Sequence, residues 1–525
     1  MVLVGSAVAV LLWRGPWWFD GKYLDKADYK SAAGALISSF RAAVTQVLLG
    51  LGALVALWFT WRNYRLTRRG QVTDRFIKAL ERLGSSEMYV RYGGVLALEQ
   101  IVQDAPDQAT HATQVLVAFV RDRAPTCRRP EKGPSLGRRP PLPDEPEADV
   151  QAALTTLTRP GARQHVDHNA APLDLTNRHL TGARLNGADL TDAMLDDADL
   201  SGAMLNRGNL TGAALIKADL SGAMLNGADL TSAVLYKADL TGARLNDANL
   251  TGAHLNDANL TDAALIKAEL TGAYLIDANL TNAVLNDANL TDAILDRANL
   301  TRARLNGVDL TDAALTVADL TDAMLNGADL TSAVLYKADL TGARLDDADL
   351  TDAALIEADL TGARLNDANL TGAHLNDANL TDAALIKAEL TGAYLIDANL
   401  TNAVLNDANL TDAILDRANL TRARLNGVDL TDAVLTVADL TDAMLNRANL
   451  TGAMLNRANL TGAMLVGADL TGAVLDGADL SRTHVAVEQV VAARLGATTR
   501  LPPAVAADPR VVERIKQVEA ERKRS

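Results

Sequence analysis

Seven histidines, one cysteine and sixty-five carboxylates are the groups in this 525-residue chain that could do chemistry. Their spacing offers catalysis little. His165 and His168 stand three apart without Cys or carboxylate companions at metal-ligand spacing. His254 and His374 lie in duplicated stretches, on columns expected to face outward. No Gly-rich phosphate cradle, nucleophile elbow or zinc spacing occurs. The expected catalytic, cofactor-binding and metal-ligating residues are therefore none, and the chain is not expected to be an enzyme. Asp, Asn or Glu recurs at residue numbers ending in 9 and resembles an ion ladder. The simpler account is that these side chains bond corner backbone groups, as Asp and Asn do in turns. Cys127 stands alone, which excludes an intrachain disulfide framework and is compatible with a reducing compartment.

The elements that must position these groups come from Leu175 to Leu480. Leu falls there on almost every number ending in 0 or 5. Ala falls on nearly every number ending in 3 or 8, with Gly208, Val308 and Val428 as exceptions. A five-residue period fits neither the 3.6 of a helix nor the 2.0 of a strand. It requires a stacked coil with corners, cored by the Leu and Ala columns. Val308 and Val428 then overpack slightly. The coil length follows from the outer positions. At numbers ending in 6, eleven of the fifteen even-tens positions are Asn, against three of the odd-tens positions. Arg at numbers ending in 4 occurs only with even tens, from Arg184 to Arg424. Residues ten apart differ and residues twenty apart match, so the period is twenty.

The unit, as in Ala188-Asp189-Leu190-Thr191-Asp192, resembles the pentapeptide repeat family. The resemblance implies a mainly β fold: a right-handed quadrilateral β-helix with one pentapeptide per side and four per coil. About fifteen coils at strand spacing would reach ~70 Å. Residues 241–330 recur as 361–450 with three differences, and Met224–Arg244 recurs as Met324–Arg344. Both offsets are multiples of twenty, so copying kept every column on its own face. A unique site inside the array is disfavoured, because each copy would carry it twice.

The flanks differ from the array. From Ala171 to Leu480 there are 44 acidic and 19 basic residues, a net of −25, so the rest of the chain carries +10 of the overall −15. Ala42 to Trp61 has no charge over twenty residues, enough to cross a hydrocarbon core of roughly 30 Å, and Trp58 and Trp61 suit an interfacial belt. Met1 to Trp13 is a shorter apolar stretch, and together the two are expected to form a helical hairpin. The dense Arg62–Arg69 run after the second span predicts a cell-membrane protein with its C-terminal bulk cytoplasmic. Helices are expected over part of Gln71–Asp122: one ending at Gly84-Ser85-Ser86, one over Val90–Ile101, and one over Thr110–Arg121 with Val115, Ala118 and Phe119 on one side. Gly70 to Phe76, Leu83-Gly84 and Val90 to Gly94 resemble a module of membrane-anchored pentapeptide repeat proteins from actinobacteria, and also one HEAT-type helical unit. Gly93-Gly94 is read as a close helix–helix contact.

The expected domains are 1–69, a membrane anchor with its second span at 42–61; 70–123, a small helical domain; 124–172, a Pro-rich linker with a basic cluster (Arg128, Arg129, Arg138, Arg139) and a short helix capped by Asp149; 173–483, the solenoid; and 484–525, a helical cap and tail. An open solenoid end exposes Leu side chains and unpaired backbone, and Val485–Leu495 is the expected cap.

Function should then lie on the outer faces. Met, Val, Ile and Tyr fill sixteen of thirty odd-tens positions at numbers ending in 4 or 6, against ten on the even-tens face. The expected interaction face comprises Tyr236, Tyr274, Ile276, Tyr336, Ile356, Tyr394 and Ile396, a surface for a protein partner or for self-association. The expected function is a membrane-tethered interaction scaffold with no direct nucleic-acid binding. The family resemblance implies a rival: some members are acidic rods that mimic DNA and bind type II topoisomerase (gyrase). Duplex DNA carries about forty charges over ~70 Å, and the array's −25 falls short of that.

Overall fold

The computed structural model describes residues 2–19, 32–127 and 142–522. They belong to two compact units, Met1–Glu81 and Arg82–Ser525.

In the first unit, α1 (Val2–Phe19) continues through Pro16, past the apolar stretch that ends at Trp13. The second helix, α2 (Ala32–Leu83), runs 52 residues. The two are neighbours, because Arg41 Nε donates to the Leu12 carbonyl at 3.2 Å. A Cβ at Gly15 would meet the Phe40 ring at 2.8 Å, so this close approach needs glycine. Among the described residues one helix, Ile37–Leu83, is long and apolar enough to cross a membrane, and none of its apolar window is buried. The loop of the expected hairpin lies outside the described residues. No break occurs at residues 69 and 70, where the sequence suggested a boundary: a lone Gly70 costs only about 1 kcal/mol against Ala, too little to end the helix, and α2 stops only before Gly84.

The second unit opens with α3 (Met88–Asp104), α4 (Pro106–Arg123) and α5 (Ala148–Thr158), packed on one another. Leu98, Leu116 and Leu154 are fully buried between them. The buried side of α4 carries Leu116, Val117, Phe119 and Val120, and Ala118 is exposed, so the expected face was rotated. Gly94 is buried as expected of a contact residue, but a Cβ on Gly93 would touch nothing within 4 Å. Asp149 does not cap α5, whose N-cap is Glu147. It is fully buried and takes Arg91 Nε at 2.5 Å, while Arg91 Nη1 reaches the Ser86 carbonyl at 2.8 Å. A buried charge must find its opposite, and that demand outweighed the capping preference.

α5 is thus part of a helical body that also closes the start of the array. Gln151 bonds both backbone groups of Arg184 at 2.9 Å, and the Asp189 amide donates to the Thr158 carbonyl at 2.6 Å. Thr126 forms an antiparallel bridge to Arg178. His179 Nε2 meets the Pro143 carbonyl at 2.7 Å. The Arg128, Arg129, Arg138 and Arg139 cluster lies outside the described residues.

The array itself is a β-solenoid. Parallel bridges join residues twenty apart in four ladders, which pass through Arg184, Asp189, Met194 and Asp199 in chain order. The Leu185 amide donates to the Met204 carbonyl (2.7 Å), and the Met204 amide donates back to Ala183 (2.9 Å). Between ladders the chain turns: the Ala183 amide donates to Leu180 (3.0 Å) across a residue of positive φ, the pattern of a type II turn. Gly, Asp and Asn together fill most of the positive-φ corners, Gly because it has no Cβ and Asp and Asn because they tolerate this conformation better than other L-residues. Leu and Ala point inward and are buried throughout. Val308 and Val428 are buried in the Ala column, and their turn bonds of 3.2 and 3.3 Å match the 3.2 Å at Ala368, Ala388, Ala398 and Ala408, so the expected overpacking leaves no distinct mark.

The far end closes differently from expectation. Helix α6 spans only Val487–Ala492, and beyond it the chain rejoins the ladders, with Arg494 pairing Val474 and Arg500 pairing Asp479. Gln489 Nε2 satisfies the Leu465 and Ala468 carbonyls, both at 2.7 Å. Two short helices, α7 (Pro503–Ala506) and α8 (Pro509–Arg522), follow.

Candidate functional site

The four ladders sort the surface by chemistry. In the Asp189 and Asp199 ladders, nine and eight of fifteen positions up to Asp469 and Asp479 are acidic. These side chains have structural work. Asp189 Oδ1 accepts the Thr191 amide (3.2 Å) and hydroxyl (2.7 Å), and the motif recurs in most coils. Where Asn replaces Asp, its amide also reaches a threonine of the preceding coil, as from Asn249 to Thr231 at 2.9 Å. The column at numbers ending in 9 is corner chemistry with a carboxylate left at the surface.

Between the acidic ladders lie two unlike sides. The Arg184 ladder carries six exposed arginines. Arg184 pairs with Glu145 and Arg364 with Asp346. Across the coil, the Met194 ladder has no charged residue in the fifteen positions from Met194 to Val474: thirteen are Met, Ala, Val, Ile or Tyr, and two are His.

Tyr274 and Tyr394 sit in this uncharged ladder. Tyr236, Ile276, Tyr336, Ile356 and Ile396 occupy the corner that follows it. All seven are at least partly exposed, and the array brings them onto one side. His254 stacks on Tyr274 with ring centroids 4.7 Å apart, and the copied pair His374 and Tyr394 stacks at 4.6 Å. Lys237 lies over Tyr236 at 4.8 Å and Lys337 over Tyr336 at 5.0 Å. Tyr336 also donates to Glu357 at 3.0 Å. On the same edge, Arg297 grips Asp277 with two bonds of 2.8 and 2.7 Å, and the hydrogen bonds from Arg297 hold the Asp277 carboxyl below the usual range.

Two residues on this edge escaped the sequence reading. Val317 and Val437 hold φ of 58° and 62° and are exposed. A β-branched residue is an outlier in that region. The available signal was a valine in a corner column that is otherwise charged from Asp197 to Arg457.

Among the described residues no group of three or more His, Cys, Asp or Glu gathers as a metal site. His179 instead joins Asp199 at 2.7 Å. Burial alone would raise the Asp199 carboxyl, but bonds from Ser201, Thr181 and His179 outweigh it and hold the group below its ordinary value. The Cys127 thiol is pushed up to about 11, chiefly by burial. A groove of about 380 Å³ between α3 and α5 is lined by Tyr92 and Leu96, and the pairs Glu99–Arg159 and Glu145–Arg184 bring its charged groups together.

A family model described as pentapeptide repeats matches the array in successive stretches from 174–212 to 453–484. Among solved structures, the chain is similar to HetL, a pentapeptide repeat protein involved in heterocyst differentiation regulation from the cyanobacterium Nostoc sp. strain PCC 7120. That match has 41% identity and a TM-score of 0.30, covering 39% of this chain and 88% of that one. It is also similar to QnrB1, a plasmid-mediated fluoroquinolone resistance protein, at 17% identity and a TM-score of 0.26, covering 39% and 98%. Rfr23, from the cyanobacterium Cyanothece 51142, matches at 26% identity and a TM-score of 0.16, covering 27% and 90%. Among curated proteins no sequence matches. With twenty-residue ladders, Leu and Ala inside and the family model matching more than half of its length, the chain belongs to the pentapeptide repeat family.

Proposed function

We propose that the chain is a non-enzymatic interaction scaffold: a right-handed quadrilateral solenoid of about fifteen coils, tethered to a membrane through α2 with its C-terminal bulk on the cytoplasmic side. The observation that carries this reading is the uncharged Met194 ladder in an array whose other three sides are charged. A long apolar strip rimmed by acidic faces is what a partner surface looks like on a soluble body. The membrane part of the reading is supported by the exposed apolar window of α2 and by the residues after it. Arg62 lies over Trp58 at 5.3 Å and Arg65 over Trp61 at 4.5 Å, an amphipathic exit from an apolar layer.

The test is replacement of Tyr236, Tyr336, Ile276 and Ile396 by Ser. It should change the oligomeric state or the proteins recovered with the intact chain from its own host, and no change in either refutes the face. Recovery of the whole chain in the soluble fraction refutes the tether. The DNA-mimic alternative fits the charge layout poorly, since the carboxylates are spread over two ladders and the corners, where Lys and Arg are interspersed, and a third ladder carries arginines. Inhibition of gyrase supercoiling at sub-micromolar concentration would reverse that judgement.

A further inference from the structure

We propose that the uncharged ladder binds a second copy of this chain. The two solenoids would lie antiparallel, about a twofold axis between the coils of Val334 and Ala354. This rests on the scaffold reading and names its partner.

The first support is size. Fifteen coils at ~4.8 Å give ~70 Å of length, and a side three extended residues wide is about 10 Å across. The proposed axis sets fourteen of these coils, Ala214 to Val474, against each other, roughly 670 Å² per partner or about 1,340 Å² in total, within the range of specific interfaces. The second support is pitch. A copy has the same coil spacing, so a match in one coil persists along the whole ladder, whereas a helix or an irregular surface falls out of step. An acidic partner would be repelled by the ladders on either side.

The third support is charge at the edges. An antiparallel pair sets each edge column of the strip against itself. On the corner after the strip, the proposed axis puts Lys337 opposite Glu357 of the copy, Arg297 opposite Asp397 and Asp277 opposite Arg417. On the other corner, the five aspartates from Asp292 to Asp432 each face a Gly or Ser of the copy. One like-charged pair, Lys237 with Arg457, falls near the ends. A parallel pair in register would instead set Asp352 against Glu357 and Asp192 against Asp197. Within the strip the antiparallel register places Tyr274 opposite Ile414 and Tyr394 opposite Ile294, aromatic rings on aliphatic side chains.

The test uses the full chain in membranes with Cys127 replaced by Ser and a short bismaleimide as the probe. With Val334→Cys, the two thiols lie about one coil apart along the axis, and a covalent dimer is expected. With Met194→Cys they lie ~70 Å apart, and none is expected. Adding Tyr274→Arg and Tyr394→Arg to the Val334→Cys chain should reduce the dimer at least tenfold. Coils accept Arg at this position, as Arg344 and Arg364 do in the Arg184 ladder, so folding is not at stake. Equal dimer from Met194→Cys and Val334→Cys overturns the antiparallel register. Adducts of Val334→Cys only to other proteins overturn the second copy while leaving the scaffold reading intact. No adduct at either position, with co-purifying proteins unchanged by the Arg substitutions, refutes both.

Discussion

Deleting ten residues and deleting twenty should have opposite consequences, although both keep the five-residue core in phase. Removal of Thr321–Leu340 takes out one coil and leaves fourteen of the fifteen positions of the uncharged ladder in line. Removal of Thr321–Leu330 joins Leu320 to Thr331 and keeps Leu and Ala buried, but rotates everything downstream by half a coil. The Met194 ladder would then run to Ala314 and continue with Arg344 and Arg364. Its uncharged part would fall to seven coils, or ~34 Å. At about 10 Å width that is roughly 680 Å² in total, below the ~1,200 Å² at which specific interfaces begin. The arginines brought onto the strip would each have to be desolvated without a partner, at several kcal/mol apiece. Both variants should unfold at similar temperature, because each retained coil contacts only its neighbours. The assay is an Ala314→Cys cross-link in each deletion background, since both deletions keep residue 314 on the Met194 ladder beside the junction, with thermal unfolding as the control for folding. A dimer in the ten-residue deletion as abundant as in the twenty-residue deletion would refute the claim that side identity carries the association. A ten-residue deletion that does not fold would refute the claim that only the five-residue core sets the coil.

Asp149→Ala should destabilise the α3–α5 body by about 3–5 kcal/mol, since it removes the buried counter-charge of Arg91 and leaves only the half-exposed Glu147 carboxylate at 3.5 Å. The double change Arg91→Met with Asp149→Leu should recover most of that, and amide exchange in α3 to α5 would report both. Val317→Asn and Val437→Asn should each relieve about 1 kcal/mol of left-handed strain and raise the unfolding temperature additively, as they lie 120 residues apart. The Asp199 carboxyl is held below its ordinary value in the folded chain, so its stabilising effect is complete above the unfolded value of about 3.9 and is lost as pH falls through the folded one. Exchange protection of residues 179–201 should drop over that acidic window, and in Asp199→Ala it should be low already at neutral pH.

The solenoid was legible because a five-residue core period has few physical solutions, and the twenty-residue period survived in the Arg and Asn columns. The ends were less legible. Val485–Leu495 reads as a helix, yet only six residues of it are helical, since the open end of a sheet offers backbone partners that Arg494 and Arg500 take up. The segment before the array reads as a linker by composition. Part of it is a packed helix, because Asp149 has to meet Arg91, a partner 58 residues away that no local pattern encodes.

By itself the sequence determined the core, the coil length, the acidity of the array and the side on which Tyr and Ile gather, since each is a column that periodicity makes visible. Only the tertiary structure decided that four ladders alternate, two acidic and two not, and that the side opposite the arginines carries no charge over fifteen positions. The physical reason is that a column at spacing twenty becomes a face only once coils stack. Which columns are then neighbours, and which lie across the coil, follows from the path of the backbone through its corners.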